Sequence, residues 1–253
     1  MKKVTMNLPE VKDYRLTEGL NQLKTNLAFC GKDIKVITIT SSVQNEGKSS
    51  VAFDLSKTMA EGGKKILMVD ADLRKSVLAA KYHIQGIDKG LSHYLTGQAE
   101  IEDIIYETET EGFYLSVAGP LSPDPTSLLD SDQFQKFIDK VREDYDYVII
   151  DTPPMANLID SAIVASNCDG AIIVVEQGAV SYRLEQKVKS QLDKTGCRVL
   201  GVVLNKVDLS QNGYYGRYGK YGKYGKYGRY GKYDKYGAYS PYEKAEAAQT
   251  TDK

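Results

Sequence analysis

Six short apolar runs, each the length of one strand, recur between helix-length segments along residues 35–205. They are Lys35–Ser41 (KVITITS), Lys65–Asp70 (KILMVD), Phe113–Ala118, Tyr147–Asp151 (YVIID), Ala171–Glu176 and Val199–Asn205. Their β-branched residues follow one another without the polar alternation that a half-wet strand shows, which predicts strands buried on both faces. Ser49–Glu61, Ser127–Tyr145, Asn157–Asn167 and Ser181–Thr195 read as the helices between them. A βαβα order of this kind requires crossover connections, so the predicted class is α/β, a mostly parallel central sheet with helices on both faces. Ligands of such sheets sit beyond the carboxyl ends of the strands. Ahead of the first strand, Thr17–Phe29 reads as an amphipathic helix with Leu20, Leu23, Leu27 and Ala28 on one stripe. That stripe suits packing on its own sheet or contact with another subunit equally well.

The chain has 253 residues, 42% hydrophobic and 26% charged, which matches one core of ordinary size. Of its 19 tyrosines, 11 lie between Tyr214 and Tyr242, so two materials are joined end to end. Residues 1–213 are expected to form the fold, and 214–253 a flexible, disordered tail. Tyrosine returns every third residue at Tyr215, Tyr218, Tyr221, Tyr224, Tyr227, Tyr230, Tyr233, Tyr236, Tyr239 and Tyr242, interleaved with Gly and Lys or Arg. A period of three fits neither helix nor strand, and the glycines make any ordered state entropically costly. Segment 214–242 sets seven Lys or Arg against Asp234, a net charge of +6. Residues 1–213, with 24 basic and 30 acidic side chains, carry −6.

No apolar run approaches the roughly 20 residues that cross a bilayer. The start MKKVTMNLPEV lacks the apolar centre of a signal peptide, so a soluble, cytoplasmic chain is expected. Cys30, Cys168 and Cys197 are odd in number and far apart, which argues for small buried residues rather than a disulfide framework. His83 and His93 are the only imidazoles, so a histidine metal site or a serine-histidine hydrolase has little support.

The chemistry gathers at strand ends. Ser42-Val-Gln-Asn-Glu-Gly-Lys-Ser49 fits the phosphate loop G-x-x-x-x-G-K-[ST] except that Ser42 replaces the first glycine. Gly47 lets the backbone approach phosphates, and the following helix start directs free N–H groups at them. Lys48 supplies charge, Ser49 can ligate Mg²⁺, and Ser42, Gln44, Asn45, Glu46 and Ser50 complete the candidate nucleotide cradle. The second strand ends in Val69-Asp-Ala-Asp-Leu-Arg74, which sets the Asp70 and Asp72 carboxylates beside the Arg74 guanidinium. Such carboxylates can hold Mg²⁺ or accept a hydroxyl proton. Asp151 ends a hydrophobic strand before Thr-Pro-Pro, the form of a Walker B segment. Leu204-Asn-Lys-Val-Asp208 has the spacing of the N-K-x-D base-reading loop of GTPases, yet Asn205 is equally able to bond adenine.

The phosphate loop, the ILMVDADLR segment (a Walker A′ motif), YVIIDTPP, GLSHYLTG and PDPTSLLDS together resemble the bacterial tyrosine kinases of capsular and exopolysaccharide loci, over about residues 13–209. The tyrosine-rich C-terminus completes the likeness. In the related ParA/MinD partition ATPases a signature lysine stands five residues before the loop lysine, where this chain has Val43. The family's oligomerisation motif E-x-x-R-x-x-R-x-N appears as Glu18, Asn21, Lys24 and Asn26, with both arginines replaced.

The resemblance implies a P-loop NTPase fold of the MinD/ParA type. It also implies an ATP- and Mg²⁺-dependent protein-tyrosine autokinase that modifies the ten periodic tail tyrosines, mainly between subunits, and regulates polysaccharide polymerisation or export. In that scheme Lys48 and Gly47 cradle the phosphates. Ser49, Asp72 and Asp151 form the metal shell, Asp70 is the candidate base, Arg74 stabilises phosphate charge and Asn205 lies near the base. Implied partners are a separate transmembrane activator, a cognate tyrosine phosphatase and further copies of the chain, with no nucleic acid. The implied location is the inner face of the membrane, through the activator. The rival expectation is a regulatory ATPase switch without kinase activity, its basic tail being an adhesive or lipid-binding segment.

Overall fold

The computed structural model describes residues 2–7, 13–155 and 159–208. The tyrosine-rich segment and its ten candidate acceptors lie outside the described residues. Strands β2 (Val36–Ser41) and β3 (Ile66–Asp70) are buried at every position, as their unbroken apolar runs predict. β1 (Lys2–Lys3), β4 (Tyr106–Glu107), β5 (Phe113–Ser116), β6 (Tyr147–Asp151), β7 (Gly170–Glu176) and β8 (Arg198–Asn205) join them in a sheet of order β1-β4-β5-β3-β6-β2-β7-β8. Every neighbouring pair is parallel except β4 with β5.

Side chains alternate between two covered faces. Ile37, Ile39, Met68, Leu115 and Ile149 pack with Val51, Leu55 and Met59 of α2 (Lys48–Glu61) and with Leu20, Leu23 and Leu27 of α1 (Tyr14–Phe29). The expected stripe of α1 is thus largely spent within its own chain, although Ala28 is exposed. Val36, Leu67, Val69, Val148 and Ile150 face the other way, against Phe134, Phe137, Ile138 and Val141 of α7 (Asp132–Asp144). Val188 and Leu192 of α9 (Tyr182–Lys194) close a third cluster over β7.

Three expectations need correction. The single helix expected over Ser127–Tyr145 is two, α6 (Pro125–Leu129) and α7, because Ser131 turns extended (φ −92°, ψ 154°) and accepts the Phe134 N–H as an N-cap. A serine hydroxyl that satisfies an orphan donor restarts a helix at little cost. β8 is not buried on both faces, since it forms the sheet edge and leaves Val202 62% and Leu204 49% exposed. The short elements β1, β4, α3 (Leu78–Lys81), α4 (Leu91–Leu95) and α5 (Ile101–Ile104) are too brief to show a period in the sequence. The connection from β6 to β7 carries α8 (Asp160–Ser166), which starts later than the expected Asn157.

One half-buried corner ties the strand starts together. The Asp169 carboxylate accepts the Lys35 and Val36 N–H groups at 2.9 and 2.8 Å and pairs with Arg142 of α7 at 2.5 and 2.6 Å. All three cysteines are free thiols. Among the described residues, no helix is long and apolar enough to cross a membrane.

Candidate active site

The carboxyl ends of β2, β3 and β6 converge because β2 and β3 both pair with β6, in a register that sets Asp70 directly beside Asp151. β2 runs into the phosphate loop and then α2, whose N-cap Gly47 adopts φ +93°. A Cβ there would lie 2.1 Å from Asn205 Nδ2, so the glycine is required both by its dihedral and by its neighbour. Ser42 is not among the residues with positive φ, which explains why a serine is accepted where the motif usually has glycine. Its hydroxyl is buried and interacts with the Glu185 carboxylate.

A cleft of about 400 Å³ opens on the loop. Gln44, Asn45, Gly47, Lys48, Ser49 and Ser50 line one side. Asp72, Lys75 and Lys206 complete the lining, and Lys81 of α3 donates to the Ser50 hydroxyl. The Glu46 side chain instead points inward, 1% exposed, and accepts the Val43 N–H at 2.8 Å and the Glu176 N–H at 3.3 Å. Its contribution to the cradle is its backbone.

Behind the lining lie the carboxylates. Lys48 Nζ stands 3.4 Å from Asp151 Oδ1 and donates to Ser49 Oγ at 3.1 Å. Asp70 is 1% exposed, and its oxygens accept the Asp72 N–H and the Ser76 hydroxyl. Burial, then the adjacent Asp151 charge, pushes Asp70 up to about 7 against the pull of those two donors. Burial pushes Asp151 up as well, and Lys48 offsets it only in part. Asp72 accepts the Lys75 and Arg74 N–H groups at 2.9 and 3.3 Å, which shape the A′ turn around it.

Arg74 sits differently from the expectation of a phosphate ligand. Its guanidinium makes a two-point pair with Asp160 at the start of α8 and donates to Thr126 Oγ1 at 3.0 Å. Burial would raise Asp160, but Arg74 and Thr126 outweigh it and hold that carboxyl below its ordinary range. In this arrangement Arg74 straps the A′ turn to α6 and α8. Asn205 also sits below the loop, its Nδ2 donating to Glu46 O at 2.9 Å.

Sequence reasoning missed Ser76, Lys75, Lys81, Thr126 and Asp160. No motif marks them, and Asp160 meets Arg74 across 86 residues of chain. Lys206 was visible within N-K-x-D, but its reach to the loop was not.

Among the described residues, no three His, Cys, Asp or Glu side chains converge as a ready-made metal cage. Mg²⁺ does not ask for one, since it keeps waters and takes one or two carboxylates plus phosphate oxygens. Two buried carboxylates, each raised in pKa and served by one lysine, leave surplus negative charge beside the Ser49 hydroxyl. The donor set therefore fits Mg²⁺.

Comparison with known proteins agrees with this geometry. The family described as "AAA domain" matches residues 34–195. The tyrosine-protein kinase CpsD of Streptococcus agalactiae is 40% identical over 197 residues, spanning 78% of this chain and 86% of that protein. The kinase domain of the Escherichia coli tyrosine kinase ETK superposes with a TM-score of 0.70 at 26% identity, covering 78% of this chain and 79% of that one. The septum site-determining protein MinD of Pyrococcus horikoshii, solved with Mg-ADP, gives 0.62 at 27% identity over 70% and 72% of the two chains. With the P-loop fold, the phosphate loop set against the aligned A′ and B carboxylates Asp70 and Asp151, and these relatives together, the chain belongs to the bacterial tyrosine-protein kinases.

Proposed function

We propose that the site transfers the γ-phosphoryl group of ATP to tyrosines of the 214–242 segment, chiefly on a neighbouring copy, and that this controls capsular or exopolysaccharide polymerisation or export. The observation that carries the reading is the in-register Asp70–Asp151 pair with Lys48 between the loop and Asp151. Gly47 and the α2 N-terminus offer backbone N–H groups to the phosphates, and the Lys48 ammonium compensates charge on the migrating group. Ser49, Asp151 and Asp72 would hold Mg²⁺, which supplies further neutralisation of the phosphate oxygens. Asp70 accepts the tyrosine proton as the tyrosine oxygen bonds to phosphorus and the bond to the departing ADP oxygen breaks. A carboxylate raised to about 7 is suited to that exchange near neutral pH.

Oligomerisation and activation follow from the same reading. α1 carries Glu18 and Asn26 on its exposed side, with Tyr14 76% and Phe29 83% exposed, a surface suited to a second copy. A separate membrane polypeptide would recruit and switch on the kinase, and a cognate phosphatase would reverse it. The test is mass spectrometry of the protein purified from its own cells. A ladder of phosphates confined to 214–242 supports the kinase. ATP hydrolysis in the presence of activator, with no phosphotyrosine, supports the switch instead.

A further inference from the structure

Two consecutive residues of the phosphate loop, Asn45 and Glu46, are held by groups at the carboxyl ends of β7 and β8. Lys206 Nζ donates to Asn45 O at 2.6 Å and pairs with Glu176 Oε2 at 2.8 Å. Asn205 Nδ2 donates to Glu46 O at 2.9 Å and lies where a Gly47 side chain would have to go. The Glu46 carboxylate, fully enclosed, is tied to Glu176 N on β7 and back to Val43 N across the loop. Gln177 at the end of β7 binds the same corner, donating its N–H to Asn205 O at 3.1 Å and accepting the Asp208 N–H at 2.9 Å.

A second, independent observation marks the corner. Among the described residues, Asn45 (φ 68°) and Lys206 (φ 52°) are two of the three non-glycine residues in left-handed backbone, and the Lys206–Asn45 bond joins them. Side-chain-bearing residues in that region persist where the surroundings over-determine them, commonly beside functional sites. A loop that must present N–H groups to several phosphate oxygens gains affinity when its shape is set before the ligand arrives.

We propose that Asn205 and Lys206 are positioning residues for the phosphate loop, a clamp that shapes Asn45–Gly47 for the polyphosphate rather than a reader of the nucleotide base. The inference rests on the reading of the loop as a nucleoside triphosphate site. It accounts for the N-K-x-D spacing in a chain outside the GTPases, because the first two residues of that motif are committed to the loop backbone whichever base is bound.

The experiment compares the affinity of the full chain for Mg-ATP and for Mg-tripolyphosphate, which has no base, in wild type, Asn205→Ala, Lys206→Met and Lys206→Arg. A clamp predicts that Asn205→Ala and Lys206→Met weaken both ligands by the same factor, about tenfold. Lys206→Arg should recover most of the loss, and the melting temperature of Lys206→Met should match wild type because its side chain is 47% exposed. Loss for ATP alone would make Asn205 a base reader, and no loss for either ligand would remove the clamp altogether. A wild-type protein that binds neither ligand would overturn the nucleotide reading itself, a result distinct from both.

Discussion

Asp70 and Asp151 are two buried carboxylates set side by side, and Lys48 is the one lysine paired with them. Lys48→Met is expected to abolish phosphate transfer while keeping the fold, since methionine matches the lysine stem in volume and opens no cavity beside Asp151. Phosphotyrosine blotting beside a thermal melt checks both halves. Asp70→Asn should keep ATP affinity within a few-fold while transfer is lost, whereas Ser49→Ala and Asp151→Asn should lose affinity; equal loss across the three would move Asp70 into the metal shell. The base is expected to be adenine. ATP should displace a fluorescent ATP analogue while GTP at equal concentration does not, because the Asp70–Arg74 segment is a feature GTPases lack.

Among the elements, β7 and β2 meet α7 at Asp169, whose carboxylate is 20% exposed. Burial would raise this group, but the Arg142 pair and two backbone donors prevail and hold it below its ordinary value. A folded-state pKa below the unfolded value of about 3.9 stabilises the fold above that pH and withdraws support as pH falls through the folded value. Asp169→Ala should therefore cost about 2–3 kcal/mol at pH 7, with the difference from wild type shrinking below about pH 4. Urea titrations at the two pH values measure it, and a constant difference would contradict the assignment. On α7, Phe137→Ala removes a fully buried ring from the Phe134–Tyr94 cluster and should cost about 3–5 kcal/mol.

For the molecule as a whole, the prediction concerns the tail that follows β8. We propose that residues 214–242 are presented to an adjacent subunit; a Gly-rich coil of about 30 residues would have an r.m.s. reach near 30 Å, enough to enter that subunit's cleft. Each phosphotyrosine adds about −1.5 to −2, so modifying all 11 tyrosines would take the segment from +6 to roughly −10 to −16, facing a body at −6. Attraction becomes repulsion, and assemblies should loosen at low salt. Mixing an intact Lys48→Met chain with an active chain truncated after Asn212, plus ATP and activator, tests this by phosphotyrosine content and sedimentation. No phosphate on the inactive chain would refute transfer between subunits, and phosphate without a change in size would refute the electrostatic coupling.

The α/β class, the six main strands and the loop, A′ and B motifs were all legible in the sequence, because each is carried by local information: an unbroken β-branched run, a turn glycine, an acid at a strand end. Periodicity did not carry the α6–α7 break, where one serine hydroxyl outweighs an amphipathic pattern that runs straight through it. Nor did it carry the exposure of β8, since a run such as VVLN reads alike in the middle of a sheet and at its edge. The partners of Arg74 and Asn205 depended on tertiary structure alone. A guanidinium in an A′ turn and an amide at a strand end advertise hydrogen-bonding capacity but not direction, and what receives each bond is a residue 86 or 159 positions away, brought there by parallel strand pairing and crossover helices.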